Sequence, residues 1–190
     1  MSEAKTKNNV VPRLLEKYKT EIAPNLAKEF NIDNVNRIPK IQKVTINMGI
    51  GQAKVNPKSI ESAIETLEKI SGQKPVVTKA RKSISNFKLR EGFPVGCSVT
   101  LRGNKMWSFL DRFFNIVMPR IKDFRGINPK STDGRGNFNM GLKEQIVFPE
   151  VKYETIDQIR GMDIAITTSA KTDEECVELL KALGMPFRKN

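Results

Sequence analysis

"KVTINMGIG", Lys43–Gly51, decides the fold. Val44, Ile46 and Met48 alternate with Thr45 and Asn47, so a strand here has one apolar and one polar face. The alternation returns in "FPVGCSVTLRG", Phe93–Gly103, with Val95, Cys97, Val99 and Leu101 on one face and Ser98, Thr100 and Arg102 on the other. "KPVVTKA", Lys74–Ala80, reads as a short strand, and "EQIVF", 144–148, and "DIAITTSA", 163–170, as further ones. The aliphatic faces need cover, and amphipathic helices supply it. In "NPKSIESAIETLEKISG", 56–72, Asn56 suits the cap, Pro57 the first helical position and Gly72 the exit, with Ile60, Ala63, Ile64, Leu67 and Ile70 along one side. In "RLLEKYKTEIAPNLAKEF", 13–30, Leu14, Tyr18, Ile22, Leu26 and Phe30 recur every fourth residue, and Pro24 is expected to break or kink the helix. "MWSFLDRFFNIVMPRI", 106–121, is apolar around most of its surface and should be buried until Pro119 ends or bends it. "TDEECVELLKALG", 172–184, closes the chain, with Thr172 and Glu175 spaced for a capping box. Residues 126–141, "GINPKSTDGRGNFNMG", read as a loop.

The 190 residues can bury a real core and show neither an internal repeat nor a composition break. Lys plus Arg number 33 against 21 Asp plus Glu, a net charge of +12, which points to a polyanionic partner, most often nucleic acid. The charge is uneven: residues 74–125 are strongly basic, while Glu150, Asp157, Asp163, Asp173, Glu174, Glu175 and Glu178 sit in the following part. No stretch has the roughly 18 apolar residues of a membrane helix, and the start has no apolar signal core, so a cytosolic chain is expected. Cys97 and Cys176 make neither a disulfide framework nor a zinc site, and Cys97 falls on an apolar strand face. The absence of histidine removes Ser-His-Asp and Cys-His chemistry and His-ligated metals. No cofactor and no metal are expected. Residues 1–9 are polar and expected to be disordered, ahead of one domain over 10–190.

Thr45, Asn47, Thr78, Ser98, Thr100 and Arg102 can form a polar platform on the sheet, with Lys79 and Arg102 at its margins. It is either a solvated outer face or a surface for phosphates and 2′-hydroxyls. It lacks the exposed Phe or Tyr pairs that stack single-stranded bases, so structured RNA is favoured. Between two strands lies "TKARKSISNFKLREG", Thr78–Gly92, with Lys79, Arg81, Lys82, Lys88 and Arg90 against one acid, Glu91. Such a long basic loop is either an electrostatic probe or merely solvated. "STDGRGNFNMG" and "NMGIG" are turns rather than phosphate loops, because no Gly-Lys-Ser/Thr or third glycine follows. The acids at 173–175 complement a helix N-terminus.

"NMGIG", "ISGQKPVVTKARKSISNFKLREGFPVGCSVTLRG", "PRIKDFRG", "STDGRGNFNMG" and "EQIVFPE" follow one another in an order that closely resembles the bacterial-type family of large-subunit ribosomal protein five. The resemblance covers about Arg13 to Lys189. It implies an α+β fold, RRM-like or ferredoxin-like, with an antiparallel sheet, helices mainly on one face and a protruding loop at 79–91. It implies a structural, non-catalytic protein that binds 5S rRNA in the central protuberance and helps attach it to 23S rRNA. Neighbouring 5S-binding ribosomal proteins are further implied partners. The residues that match the family's 5S rRNA surface are Thr45, Asn47, Gln73, Thr78, Lys79, Thr100 and Arg102. Arg81, Lys82, Ser83, Asn86 and Lys88 match a loop that reaches P-site tRNA. Arg125, Asp133 and Arg135 match a region bridging to protein thirteen of the small-subunit head.

Two alternatives differ in class. A metal-dependent nuclease would use Asp123 and Asp133, but it lacks histidine and closely spaced acids near the basic surface. A general basic RNA chaperone would show no preference among RNAs.

Overall fold

The computed structural model describes residues 11–51 and 58–188. The expected disorder of residues 1–9 and the capping roles of Asn56 and Pro57 lie outside the described residues. Helix α1 (Arg13–Lys17) runs through a π-turn (Tyr18–Ile22) into α2 (Ala23–Glu29). Pro24 therefore does not break the helix, because it sits just past the wider turn, where the missing N–H is absorbed. Leu14, Ile22 and Leu26 are buried, and the half-buried Tyr18 donates its hydroxyl to the Pro39 carbonyl at 2.9 Å.

Strand β1 (Ile41–Gly49) is followed by α3 (Lys58–Ser71), β2 (Val76–Lys79), β3 (Pro94–Leu101) and α4 (Gly103–Arg112). A π-turn (Phe113–Val117) and a 3₁₀ turn (Met118–Arg120) carry the helical run on from α4 through Pro119 to Arg120. Then come β4 (Phe138–Leu142), β5 (Met162–Thr168) and α5 (Asp173–Ala182). The five strands form one antiparallel sheet in the order β2-β3-β1-β5-β4. The β-α-β-β-α-β succession of β1, α3, β2, β3, α4 and β5 is the ferredoxin-like arrangement, and β4 adds an edge strand.

Alternation decides which face is covered. Val44, Ile46 and Met48, Cys97 and Leu101, and Ile166 are fully buried in one cluster with Leu67, Ile70, Leu110, Phe113, Leu179 and Leu180 from the helices. Apart from the buried Gly96, the opposite side of the same strands stays partly or fully exposed.

Two expectations fail. "EQIVF" is not a strand but a 3₁₀ turn, Gln145–Val147. Gln145 is wholly buried. Its backbone N–H donates to the Arg160 carbonyl at 3.0 Å, its amide donates to the Gln158 carbonyl at 2.8 Å, and its Oε1 accepts from the Arg160 N–H. These bonds to residues 158 and 160 satisfy Gln145 without a sheet ladder. Conversely, residues 126–141 are not all loop, since β4 starts at Phe138. The Thr172 cap forms, its hydroxyl accepting from the Glu175 N–H at 3.3 Å; the Glu175 carboxylate reaches one residue further back, to the Lys171 N–H at 2.9 Å.

Candidate nucleic-acid interface

The strand register builds the uncovered face in rows. Thr100 pairs with Thr45, which pairs with Ala165, which pairs with Asn139. The next row is Val76, Ser98, Asn47, Asp163 and Gly141. Beyond it stand Thr78, Gly96 and Gly49. Thr45, Asn47, Thr78 and Thr100 thus come together as expected. Arg102, exposed at the N-cap of α4, and Lys43, paired with Thr167, mark one end of the face. Lys79 is exposed at the end of β2, past an irregularity in its pairing. Gln73 is held at the margin, its amide donating to the Thr100 carbonyl at 3.4 Å. Nearby, the Lys105 ammonium donates to the Gly72 carbonyl at 3.0 Å, behind the C-terminus of α3.

Hydroxyls and amides dominate the centre and cations the end, which suits a ligand with both sugar hydroxyls and phosphates. Sequence reasoning missed Asp163 as a member of this face. It grouped Asp163 with the acidic C-terminal part, although Met162, Ile164 and Ile166 alternate around it. Cys97 is buried on the far side as expected, and burial pushes its thiol up to about 11.

The basic loop leaves the sheet edge through a narrow neck. The Ala80 N–H donates to the Phe93 carbonyl at 2.8 Å, and the Gly92 N–H to the Ala80 carbonyl at 3.0 Å. Further out, Ile84 and Leu89 exchange backbone bonds of 2.9 and 3.1 Å around a 3₁₀ turn, Ser85–Phe87. Lys88 takes the left-handed conformation, and the Ser83 hydroxyl accepts from the Glu91 N–H at 3.0 Å. The loop is thus a small closed hairpin. Arg81, Lys82, Ser83, Asn86 and Lys88 are all exposed on it.

The third group is more dispersed. Arg125 is exposed near the entry to the 126–141 segment, where the Ile127 carbonyl accepts from the Arg188 N–H at 2.9 Å. Asp133 and Arg135 lie at its tip. The Asp133 carboxylate accepts from the Arg135 N–H at 2.9 Å, the Asn137 N–H at 3.0 Å and the Asn137 amide at 2.7 Å. The Asn137 side-chain amide, then the two backbone donors, hold its carboxyl below the usual range. Asp133 therefore shapes the turn, and Arg135 presents the exposed charge. Among the described residues no group of three or more Asp, Glu, Cys or His could hold a metal ion, and no helix is long and apolar enough to cross a membrane.

A rigid sheet with a bare polar face, cations at its end and a basic hairpin at its edge defines a protein of the nucleic-acid-binding class. Residues 34–90 match the family model described as ribosomal protein L5, and residues 94–187 match the model of the C-terminus of the same ribosomal family. The chain is 59% identical over 177 residues to large ribosomal subunit protein uL5 of Brevibacillus brevis, covering 93% of this chain and 98% of that one. It is 57% identical over 175 residues to large ribosomal subunit protein uL5 of Natranaerobius thermophilus, covering 92% and 98%. With that of a Marinomonas species it shares 56% over 177 residues, covering 93% and 99%. The chain belongs to the ribosomal L5 family.

Proposed function

We propose that the bare sheet face holds 5S rRNA, that the 79–91 hairpin contacts P-site tRNA, and that the tip of the 126–141 segment bridges to the small-subunit head. As a member of its family the chain is a structural constituent of the large ribosomal subunit, RNA-binding and non-enzymatic, working on the cytoplasmic ribosome. The observation that carries the finer assignment is the register, which lines Thr45, Asn47, Ser98 and Thr100 up on a face without helices, with Arg102 and Lys43 at one end. A permanent RNA partner calls for such a broad surface; attachment to 23S rRNA and contact with neighbouring 5S-binding proteins belong to the same proposal. The hairpin buries little, so its attraction is modest and screened by salt, which fits a ligand that arrives and leaves. Protein thirteen of the small-subunit head is the bridge partner, met by Arg125 and Arg135 with Asp133 holding the tip in shape.

The chain from residue 10 to 190 acts as one unit. The two family matches part between residues 90 and 94, yet β1 and β3, from either side of that line, are neighbours in the sheet and share the core.

Binding of the purified protein to 5S rRNA and to a length-matched control across a salt series tests the assignment. The expected preference for 5S rRNA is about three orders of magnitude. Replacing Arg102 and Lys79 with Ala should weaken 5S binding and flatten its salt dependence by about one phosphate contact each. Replacing Arg81 and Lys82 with Ala should leave 5S binding nearly intact and disturb tRNA-dependent steps. Equal affinities for both RNAs, falling together with salt, would show that charge alone is at work.

A further inference from the structure

Asp163 is an anion in the middle of a face argued to hold a polyanion. It is exposed on β5, between Asn47 of β1 and Gly141 of β4. Among the described residues its carboxylate has neither an ion-pair nor a hydrogen-bond partner. A phosphate placed there would be repelled, so the charge needs a reason.

The neighbouring glycines supply a second observation. Gly49 and Gly141 both lie on this face, and neither has a positive φ. A Cβ on Gly49 would meet nothing within 4 Å, and one on Gly141 would come no nearer than 3.7 Å to Asp163 Oδ1. Neither backbone conformation nor internal packing requires glycine at these two positions. Glycine costs a strand stability; the pairing has no bulge at Gly141, inside β4, or at Gly49, the last residue of β1, which leaves close approach by an outside molecule as a reason for it. Gly96 differs, since a Cβ there would stand 2.5 Å from the Met48 carbonyl oxygen.

We propose that the notch formed by Asn47, Asp163 and Gly141 receives an uncharged hydrogen-bond donor of the rRNA, either the N1–H and N2–H₂ edge of an unpaired guanine or a ribose 2′-hydroxyl. This rests on the sheet face being the 5S rRNA surface. An ionised carboxylate accepts and never donates, so it favours such edges and rejects phosphates. Asn47 adds an amide beside it, and Gly141 lets the sugar or base come down to the strand. Lys43 and Arg102 lie at the far end, and Lys43 is four residues from Asn47 along β1, roughly 13 Å at a strand's rise. Phosphates therefore settle at the cationic end while an edge or a sugar faces the acid. Asp163 is then a specificity determinant, which lowers affinity for RNA in general and raises it for the fitting one.

The test compares Asp163→Asn, Gly141→Val and the parent protein on 5S rRNA and on a length-matched control RNA, with thermal melting to confirm folding. Asp163→Asn should bind 5S rRNA about tenfold more weakly or worse, in line with loss of a hydrogen bond to a charged group. The same variant should bind the control as well as before or better. Gly141→Val should lose 5S affinity alone while melting no lower than the parent. Interference mapping with 5S rRNA carrying single inosine or 2′-deoxy substitutions separates the two donors. The position whose substitution weakens the parent, but not Asp163→Asn, identifies a guanine or a 2′-hydroxyl.

Tighter binding of both RNAs by Asp163→Asn would overturn the proposal, as would a loss seen only when magnesium is present, which would mean a cation-bridged contact. If Arg102→Ala and Asn47→Ala weaken 5S binding while Asp163→Asn does not, the sheet surface stands and this inference falls. If none of the three matters, the surface itself is misplaced.

Discussion

The two segments that carry charge away from the sheet, residues 79–91 and 126–137, are built on opposite plans. The first is closed on itself: its neck bonds join Ala80 to Phe93 and Gly92, and its tip bonds join Ile84 to Leu89. The second is stitched to the body by side chains. Asp173 accepts from the Thr132 hydroxyl at 2.6 Å and from the Gly136 N–H at 3.0 Å, and the buried Thr168 hydroxyl donates to the Gly136 carbonyl at 2.6 Å. A self-contained hairpin can tilt about its neck without disturbing the sheet. A stitched segment moves only if β5 and α5 move with it. That contrast suits the partners proposed for each, a passing tRNA for the hairpin and a neighbouring protein whose position must be held for the stitched tip.

The largest effect that separates them is expected at Gly136. Its φ is +76°, and a Cβ would stand 2.6 Å from the Ala170 carbonyl oxygen. Gly136→Ala combines overpacking with a left-handed alanine and should cost about 2–4 kcal/mol of global stability, read by urea denaturation. A cost near zero would mean the stitching is loose. Acid distinguishes the segments next. The Asp133 carboxyl is held below its ordinary value by Asn137 and Arg135, so its contribution is present above about pH 4 and fades as pH falls through the lower folded value. Hydrogen exchange at the Arg135 and Asn137 amides should speed up on acidification more than intrinsic exchange predicts. The 79–91 hairpin, shaped by backbone groups and the Ser83 hydroxyl, should show no such step. The smallest effect is at Lys88, whose φ is 49°. Lys88→Gly should relieve up to about 1 kcal/mol of local strain, partly offset by the freedom glycine gains when the hairpin opens. It should slow exchange at the Ile84 and Leu89 amides with no change in global unfolding. A shift in the global midpoint instead would show the hairpin coupled to the core.

Much of this was legible in the residues. Val44, Ile46 and Met48 mark β1, and Val99 and Leu101 mark β3, because a central strand covered on one side writes period two into the chain. Such a covered face fixes the register strongly, so the polar residues Thr45, Asn47 and Thr100 followed onto one surface. β4 was hidden by its Asn139 and Gly141, although Phe138, Met140 and Leu142 carry the same alternation; turn chemistry before and inside the strand masked it. Gln145 misled in the other direction, since its role depends on residues 158 and 160, which no local window includes. The anchoring by Asp173 was likewise out of reach. Three acids at a helix start are explained by the dipole alone, and only the fold brings Thr132 and Gly136 beside one of them.

The edges of the sheet bear on how unbound copies of the chain behave towards each other. On β4 the outer side is already in use, with the Asn139 N–H donating to the Ser131 carbonyl at 3.0 Å and Thr132 bridged to Phe138. On β2 the edge is four residues long and leads directly into Arg81 and Lys82. Neither side offers a long unpaired ladder, and at β2 two approaching copies would bring like charges together. Strand-to-strand association is therefore blocked twice, by occupation at one edge and by repulsion at the other.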